Sequence, residues 1–161
     1  MSFERARAHL ANLGLDDRIR QLGVSSATVE LAAEALGCAP EVIAKSLSFM
    51  TPAGPILVVA AGDARVDNRR YKERFGCKAR MIGADQVEEL IGYGVGGVCP
   101  FDVNPGVTVH LDSSLARFER VYPACGSSSS MVELTIPELE LASGSVDWVD
   151  VTTVPAPPPP S

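Results

Sequence analysis

Apolar and polar positions along the chain alternate in short blocks of two kinds. Period-two alternation over Ile43-Ala44-Lys45-Ser46-Leu47-Ser48-Phe49 predicts a strand, and the continuous run Ile56-Leu57-Val58-Val59-Ala60-Ala61 predicts a second, buried one. The turn formers Thr51-Pro52-Ala53-Gly54-Pro55 lie between them. Upstream, Phe3, Ala6, Leu10 and Leu13 recur at helical spacing behind Ser2, a predicted N-cap, with Gly14 as the stop. Thr28 is placed to cap a helix through Leu36 that Gly37 ends, and Pro40 suits the first turn of a further short helix. Downstream, Gly62 to Arg65 reads as a polar corner and Asp67 as the cap of a helix from Asn68 to Phe75. Lys78 to Ile82 reads as a brief strand, and Asp85 with Glu88 as a capping box opening a helix to Leu90 or Ile91. Strand patterns return at Val107–Leu111, Val121–Tyr122 and Met131–Leu134, and Thr135 with Glu138 predicts a last helix through Leu141.

From Ser143 the pattern fades, and Pro155-Ala156-Pro157-Pro158-Pro159-Pro160-Ser161 has the composition of a polyproline II tail with no route to a packed core. The expected organisation is one mixed α/β domain over residues 1–142 and a disordered, Pro-rich tail over 143–161. A chain of 161 residues with 46% hydrophobic content is long enough to bury most of its surface in one core.

Charge narrows the function. A formal net charge of -6 disfavours sequence-independent binding along a nucleic-acid backbone and leaves room only for a small contact with one nucleic-acid end. Cys38, Cys77, Cys99 and Cys125 are scattered, without a C-x-x-C pair or a neighbouring histidine to complete a zinc set, so they read as reduced thiols. No apolar run approaches the roughly 18 residues of a membrane span, and a cytoplasmic location is expected.

Three features carry candidate chemistry. Lys45 stands alone among apolar strand neighbours. The loop from Gly92 to Phe101 satisfies G-x-G-x-x-G through Gly92, Gly94 and Gly97, but a helix precedes it and Pro100 follows, the reverse of the strand-then-helix context that a dinucleotide fingerprint needs. Its glycines offer main chain that a ligand can approach closely. His110 and Asp112 share a strand face, which suggests a catalytic pair, yet side chains two apart on a strand point in parallel and no nucleophile elbow surrounds any serine. His9 reads as a surface histidine, and the cations Arg69, Arg70, Lys72 and Arg74 as a solvated helix face interrupted by Glu73.

Several stretches, in order, resemble the YbaK/EbsC family, the free-standing relatives of the editing domain inserted in bacterial prolyl-tRNA synthetases. They are Thr28-Val29-Glu30 with Ala32-Ala33 and Ala35-Leu36-Gly37; Ile43 to Leu47; Gly62-Asp63; Gly92-Tyr93 with Gly96 to Pro100; Leu111-Asp112; and Gly126 ahead of Val132-Glu133-Leu134. The resemblance spans roughly residues 15 to 142. It implies a barrel-like mixed β-sheet flanked by helices and hydrolysis of the ester between a wrong amino acid and the 3′-terminal adenosine of a tRNA. The family's lysine falls on Lys45 and its G-x-x-x-P loop on Gly96 to Pro100. On this resemblance Lys45 holds the phosphate or ribose of the terminal nucleotide, while Gly96, Gly97 and Val98 position the aminoacyl group and a water, with Pro100 closing the loop. N–H groups from this loop or from Gly126-Ser127 stabilise the oxyanion, an effect of roughly 3 kcal/mol per donor. Ser46, Gly62, Asp63, Cys99, Gly126, Ser127 and Ser128 complete the implied substrate-binding set, with Cys99 a small spacer in place of a nucleophile, and no metal or other cofactor is required.

The implied activity is a trans-acting aminoacyl-tRNA deacylase for a small amino acid, with the proline acceptor tRNA as a candidate substrate and a synthetase or elongation factor as the source of the tRNA. Ala124 to Ser130 lacks both the basic residues of the cysteine-removing members and the asparagine of the alanine-removing ones, which leaves the amino acid open. Two rivals belong to other classes: a non-catalytic module that binds a nucleotide or an aminoacyl-adenosine, and an interaction protein that recruits a partner through its proline-rich tail.

Overall fold

The computed structural model describes residues 2–25 and 28–155, with the side chain of Ser2 outside the description. The predicted Ser2 cap and the Pro-rich segment from residue 156 onward therefore lie outside the described residues. Helix α1 (Ser2–Asn12) is followed by strand β1 (Ile19–Gln21) and helix α2 (Val29–Leu36). A 3-10 turn over Pro40–Val42 then delivers the chain to β2 (Ile43–Thr51) and β3 (Gly54–Ala61). A corner leads to β4 (Arg65–Val66), α3 (Asn68–Phe75) and α4 (Val87–Ile91). The remaining elements are β5 (Thr108–Asp112), β6 (Arg120–Pro123), β7 (Ser130–Val132), β8 (Leu134–Thr135), α5 (Ile136–Ser143), β9 (Asp147–Val149) and β10 (Thr152–Thr153).

Local chemistry explains most boundaries. The Thr28 and Asp67 side chains accept from the N–H of Leu31 and Arg70, and Gly37 and Gly76 take the left-handed conformation that ends each helix. Thr135 and Glu138 form a complete capping box on α5. The β2–β3 hairpin, in register from Thr51↔Gly54 to Ala44↔Ala61, is the centre of a six-stranded sheet ordered β8-β6-β2-β3-β5-β9. The sheet is mixed, since β6 runs parallel to β2, and β5 to β3, while β8 is antiparallel to β6. It curls into a half-barrel, as the resemblance implied.

Alternation along β3 divides the interior. Leu57 and Val59 enter the larger cluster with Leu10 of α1, Ile91 of α4, Leu139 of α5, and Tyr93 and Phe101. Ile56 and Val58 face Phe49, Tyr71 of α3, Val149 and Val151. Ala32 and Ala33 of α2 pack on Ile43 and Met131. His9 is hydrogen-bonded, its Nε2 lying 2.7 Å from the Ala142 carbonyl.

Three expectations are corrected. Asp85 and Glu88 form no capping box: Gln86 occupies the N-cap position without a side-chain bond, because a turn in which Gly83 O accepts from Gln86 and Val87 starts the helix one residue later. Residues 78–82 make no strand of their own. They follow the outer edge of β2 through Met50 N–H to Arg80 O (2.9 Å) and Ile82 N–H to Ser48 O (3.0 Å). The segment after Ser143 is folded up to Thr153, as β9 pairs with β5 and β10 with β4.

Asp112 explains that last difference. Its buried carboxylate accepts from Ser114 N–H (3.0 Å), Val151 N–H (3.0 Å) and Thr152 Oγ1 (2.6 Å), tying residues 151–152 to the end of β5. The pairing of His110 that its position suggested goes elsewhere, to Asp147 at 2.6 Å. Asp112→Ala strands three buried donors and should cost about 3 kcal/mol. A lowered denaturation midpoint with little change in the slope is the expected result of urea unfolding.

Candidate functional site

The outer edge of β2 is covered in two pieces with a gap between them. Strand β6 accompanies it over Ile43–Ala44, and residues 80–82 join only at Ser48. Opposite residues 45–47 no described segment pairs with this edge. Because Ser48 O and Met50 N–H both point outward, strand periodicity directs the main-chain groups of Ser46 outward too, into the gap.

The gap opens into a cavity of about 280 Å³. Its walls come from α2 (Val29), β2 (Lys45, Ser46, Ser48), the segment at Ile82 and Ala84, the glycine loop (Val95, Gly96, Val98), and Ala124 with Met131. Met81 and Val95, 59% and 70% exposed, are large apolar side chains that line it while remaining open to solvent. The Ser46 hydroxyl is buried without a hydrogen-bond partner among the described residues, an unusual state for a polar atom and one that a ligand would relieve. Among the described residues Lys45 is the only cation on the walls, and no carboxylate, thiol or histidine lines them.

Lys45 is half-buried. Its ammonium donates to the Ala64 carbonyl and, at 3.4 Å, to that of Gly62. An ammonium has three donors, so one is left for a ligand. Desolvation pushes its pKa below the ordinary lysine value; Asp63 and Glu30 oppose that shift, and Arg65 adds to it. The carbonyls stand within reach because Gly62 threads a narrow space: a Cβ there would lie 2.1 Å from the Pro40 carbonyl oxygen.

The glycine loop is a turn with Gly97 N–H donating to Gly94 O at 3.0 Å, and Gly96 at φ 88° takes the left-handed position of a type II turn. The N–H groups of Gly96 and Val98 have no partner among the described residues. Gly97 turns away from the cavity. A Cβ on it would lie 2.7 Å from the carbonyl of Gly126 and 2.8 Å from the Ser127 nitrogen, so the two small-residue loops meet back to back.

The structure thus brings Lys45, Ser46, Gly96 and Val98 to one cavity, with Gly97 supporting them from behind. Pro100 and Cys99 are buried beneath the loop. The Gly126 N–H faces the Cys99 sulfur, and Ser127 Oγ is 2.5 Å from Ser130 Oγ, so neither residue is on the cavity wall. Ser128 is exposed and off the wall. Asp63 holds Arg117 through two bonds of 2.6 and 3.1 Å. Wall residues Ile82, Ala84, Val87 and Met131 were not singled out as site residues in the sequence, and Val29 entered only through the resemblance.

Taken together, a curled mixed sheet, an apolar cavity at a gap in one strand edge, a lysine on its wall and a glycine turn at its mouth define a mixed α/β domain with a cavity of small-ligand size. Residues 24–141 match the aminoacyl-tRNA editing domain family, and the chain belongs to that family. It is 46% identical over 152 residues to the uncharacterized protein YwhH of Bacillus subtilis (strain 168), covering 94% of this chain and 97% of that protein. A crystal structure of a protein proposed as a trans-editing enzyme for prolyl tRNA synthetase is 28% identical, with a TM-score of 0.84 over 94% of this chain and 97% of that one. The hypothetical protein APE2540 is 32% identical, with a TM-score of 0.82 over 92% and 99%.

Cys99 tests the distinction between a spacer and a nucleophile. It is fully buried, and burial pushes its thiol up to about 12, against the N–H groups of Phe101 and Gly126 that favour the thiolate. Cys99→Ala should leave any ester hydrolysis within about threefold of wild type, whereas loss of a covalent nucleophile costs orders of magnitude. Single-turnover rates on one substrate decide this.

Proposed function

We propose that the protein is a trans-acting aminoacyl-tRNA deacylase that hydrolyses the ester of a mischarged tRNA carrying a small amino acid. The observation that carries this reading is the juxtaposition of Lys45, with one donor to spare, and the free N–H groups of Gly96 and Val98 on one small apolar cavity. Family membership supports it, as does the likeness to the protein proposed to edit for prolyl tRNA synthetase.

The acyl group enters the cavity between Ile82, Val98 and Met131, where apolar walls admit a short side chain and disfavour a charged one. The ester carbonyl lies at the turn, and the N–H groups of Gly96 and Val98 receive the oxygen as it gains charge. Water attacks that carbonyl carbon, the tetrahedral intermediate collapses, and the C–O bond to the ribose breaks. The freed ribose oxygen takes a proton, and the amino acid leaves as its carboxylate. Lys45 contributes as a point charge that fixes the ribose or phosphate beside the turn, so the ester arrives in register. The Ser46 hydroxyl, without a partner among the described residues, supplies a polar contact to the same ligand. In this reading the tRNA reaches the site from a synthetase or elongation factor, and the proline acceptor is the first tRNA to examine.

The test is deacylation of tRNAs mischarged with alanine, cysteine, serine, threonine or 2-aminobutyrate. One or a few esters should be cleaved, and Lys45→Ala should lower kcat/KM about 100-fold or more, the scale of a lost charge-assisted contact with a desolvated substrate. Since the Lys45 charge is lost as pH rises through its lowered pKa, wild-type activity corrected for spontaneous hydrolysis should fall on the alkaline side before an ordinary lysine would titrate. Binding of an acyl-adenosine analogue without cleavage of any ester would instead favour the non-catalytic module.

A further inference from the structure

Lys45 lines two cavities. Besides the apolar one, it borders a hollow of about 440 Å³ on its other side, with Glu30, Gly62, Asp63, Ala64 and Arg65. Val29 and Lys45 are common to both, so the two spaces adjoin across this lysine.

The charges in the second hollow are unevenly satisfied. Asp63 is neutralised by the two-bond contact with Arg117 and stands 16% exposed behind it. Arg65, by contrast, is exposed and in no ion pair or side-chain hydrogen bond among the described residues, and Glu30 is in no ion pair there either. Arg70, Arg74 and Arg117 nearby in sequence or space each have a carboxylate partner. Two cations and two carboxylates therefore border the hollow, neither cation in an ion pair among the described residues, and Arg65 stands close enough to disfavour the charge on Lys45. With Asp63 balanced by Arg117 from outside the wall, Lys45 and Arg65 against Glu30 leave an excess of one positive charge, which matches a phosphodiester. Glu30 can only accept, which suits the hydroxyl or amine donors of a nucleoside.

We propose that Arg65 binds the phosphodiester on the 5′ side of the terminal adenosine, so that Lys45 and Arg65 grip the nucleotide while its acyl group enters the apolar cavity. This rests on the deacylase reading of the same site and adds a residue and a second compartment to it. The order of groups along the ligand, acyl, ribose, then phosphate, follows the order apolar cavity, Lys45, Arg65. Position supports the assignment too. Arg65 lies on β4, fixed by its pairing opposite Thr153, and directly follows Ala64, whose carbonyl holds the Lys45 ammonium. The two cations are thus set by one short piece of chain.

Calorimetric titration with the dinucleotide CpA and with adenosine tests this without any need for turnover. Wild type should bind CpA the more tightly, and Arg65→Ala should remove about tenfold of CpA affinity while leaving adenosine unchanged. Arg65→Lys should restore part of the difference, and the salt dependence of CpA binding should lose about one counterion in the alanine variant. Equal affinities for CpA and adenosine in wild type, an equal loss for both ligands in Arg65→Ala, or no loss for either would overturn the proposal, as would failure of wild type to bind CpA. Because Arg65 is exposed, the variant should fold, and an unchanged Tm serves as the control. Arg65-dependent CpA binding together with intact mischarged tRNAs would sink the deacylase reading alone; ester cleavage with no Arg65 effect on CpA would sink this one alone.

Discussion

The Lys45 ammonium is held half inside the protein by the carbonyls of Gly62 and Ala64, and the rest of the site is arranged around that charge. A desolvated cation needs acceptors, and here they come from main chain at the end of β3, where the chain leaves the sheet. The carbonyls can take that position only because Gly62 passes Pro40 at a separation that no side chain tolerates. Residues 40, 45 and 62–64 thus form one packed unit spanning the entry to β2, its third residue and the exit from β3. A carboxylate partner would have quenched the charge. Carbonyls orient it and leave a proton free.

A second constraint fixes the opposite wall. Gly97 and Gly126 touch back to back, which sets the glycine turn at a defined height over the β2 edge and leaves Gly96 and Val98 facing the gap. Cys99 and Pro100, buried beneath, and Tyr93, whose hydroxyl donates to Phe101 O at 2.5 Å, anchor the loop to the main core. The flexibility that a run of glycines would have in isolation is removed by packing. What remains is a rigid main-chain surface, the arrangement that preorganised oxyanion binding calls for.

Much of this was legible in the sequence, and the parts that were not share a cause. The β2–β3 hairpin, the Thr28, Asp67 and Thr135 caps and the place of Lys45 on its strand follow from local rules, because alternation, turn formers and cap residues act over a few positions. Strands β9 and β10 escaped notice because they are two or three residues long and are held by Asp112, some 40 positions upstream, instead of by their own pattern. The cap expected at Asp85 lost to a turn in which Gly83 O accepts from the Gln86 and Val87 N–H groups. Gly126 and Ser127 matched a family pattern yet lie behind the glycine loop, which shows that a conserved-looking small residue can serve close approach between loops as readily as contact with a ligand. Met131 and Ile82 reach the cavity through tertiary arrangement alone, and no periodicity distinguishes them from core.

The acidic character of the chain is compatible with an acidic ligand because the relevant charge is local. At physiological ionic strength exposed charges are screened over roughly 8 Å, so a net charge of -6 spread over the surface weighs little against two cations bordering one hollow. Ion pairing sharpens the contrast. Arg18, Arg20, Arg70, Arg74 and Arg117 are each committed to a carboxylate, which removes them as competing sites for phosphate and leaves the duplex portion of a tRNA with little to grip on those faces. Among the described residues the Lys45 ammonium bonds only to neutral carbonyls, and the Arg65 side chain has no hydrogen-bond or ion-pair partner. In the proposed reading the protein discriminates by where Lys45 and Arg65 stand, and an acidic surface elsewhere keeps long nucleic acids that bind by charge alone from the cavity while a single-stranded end can enter.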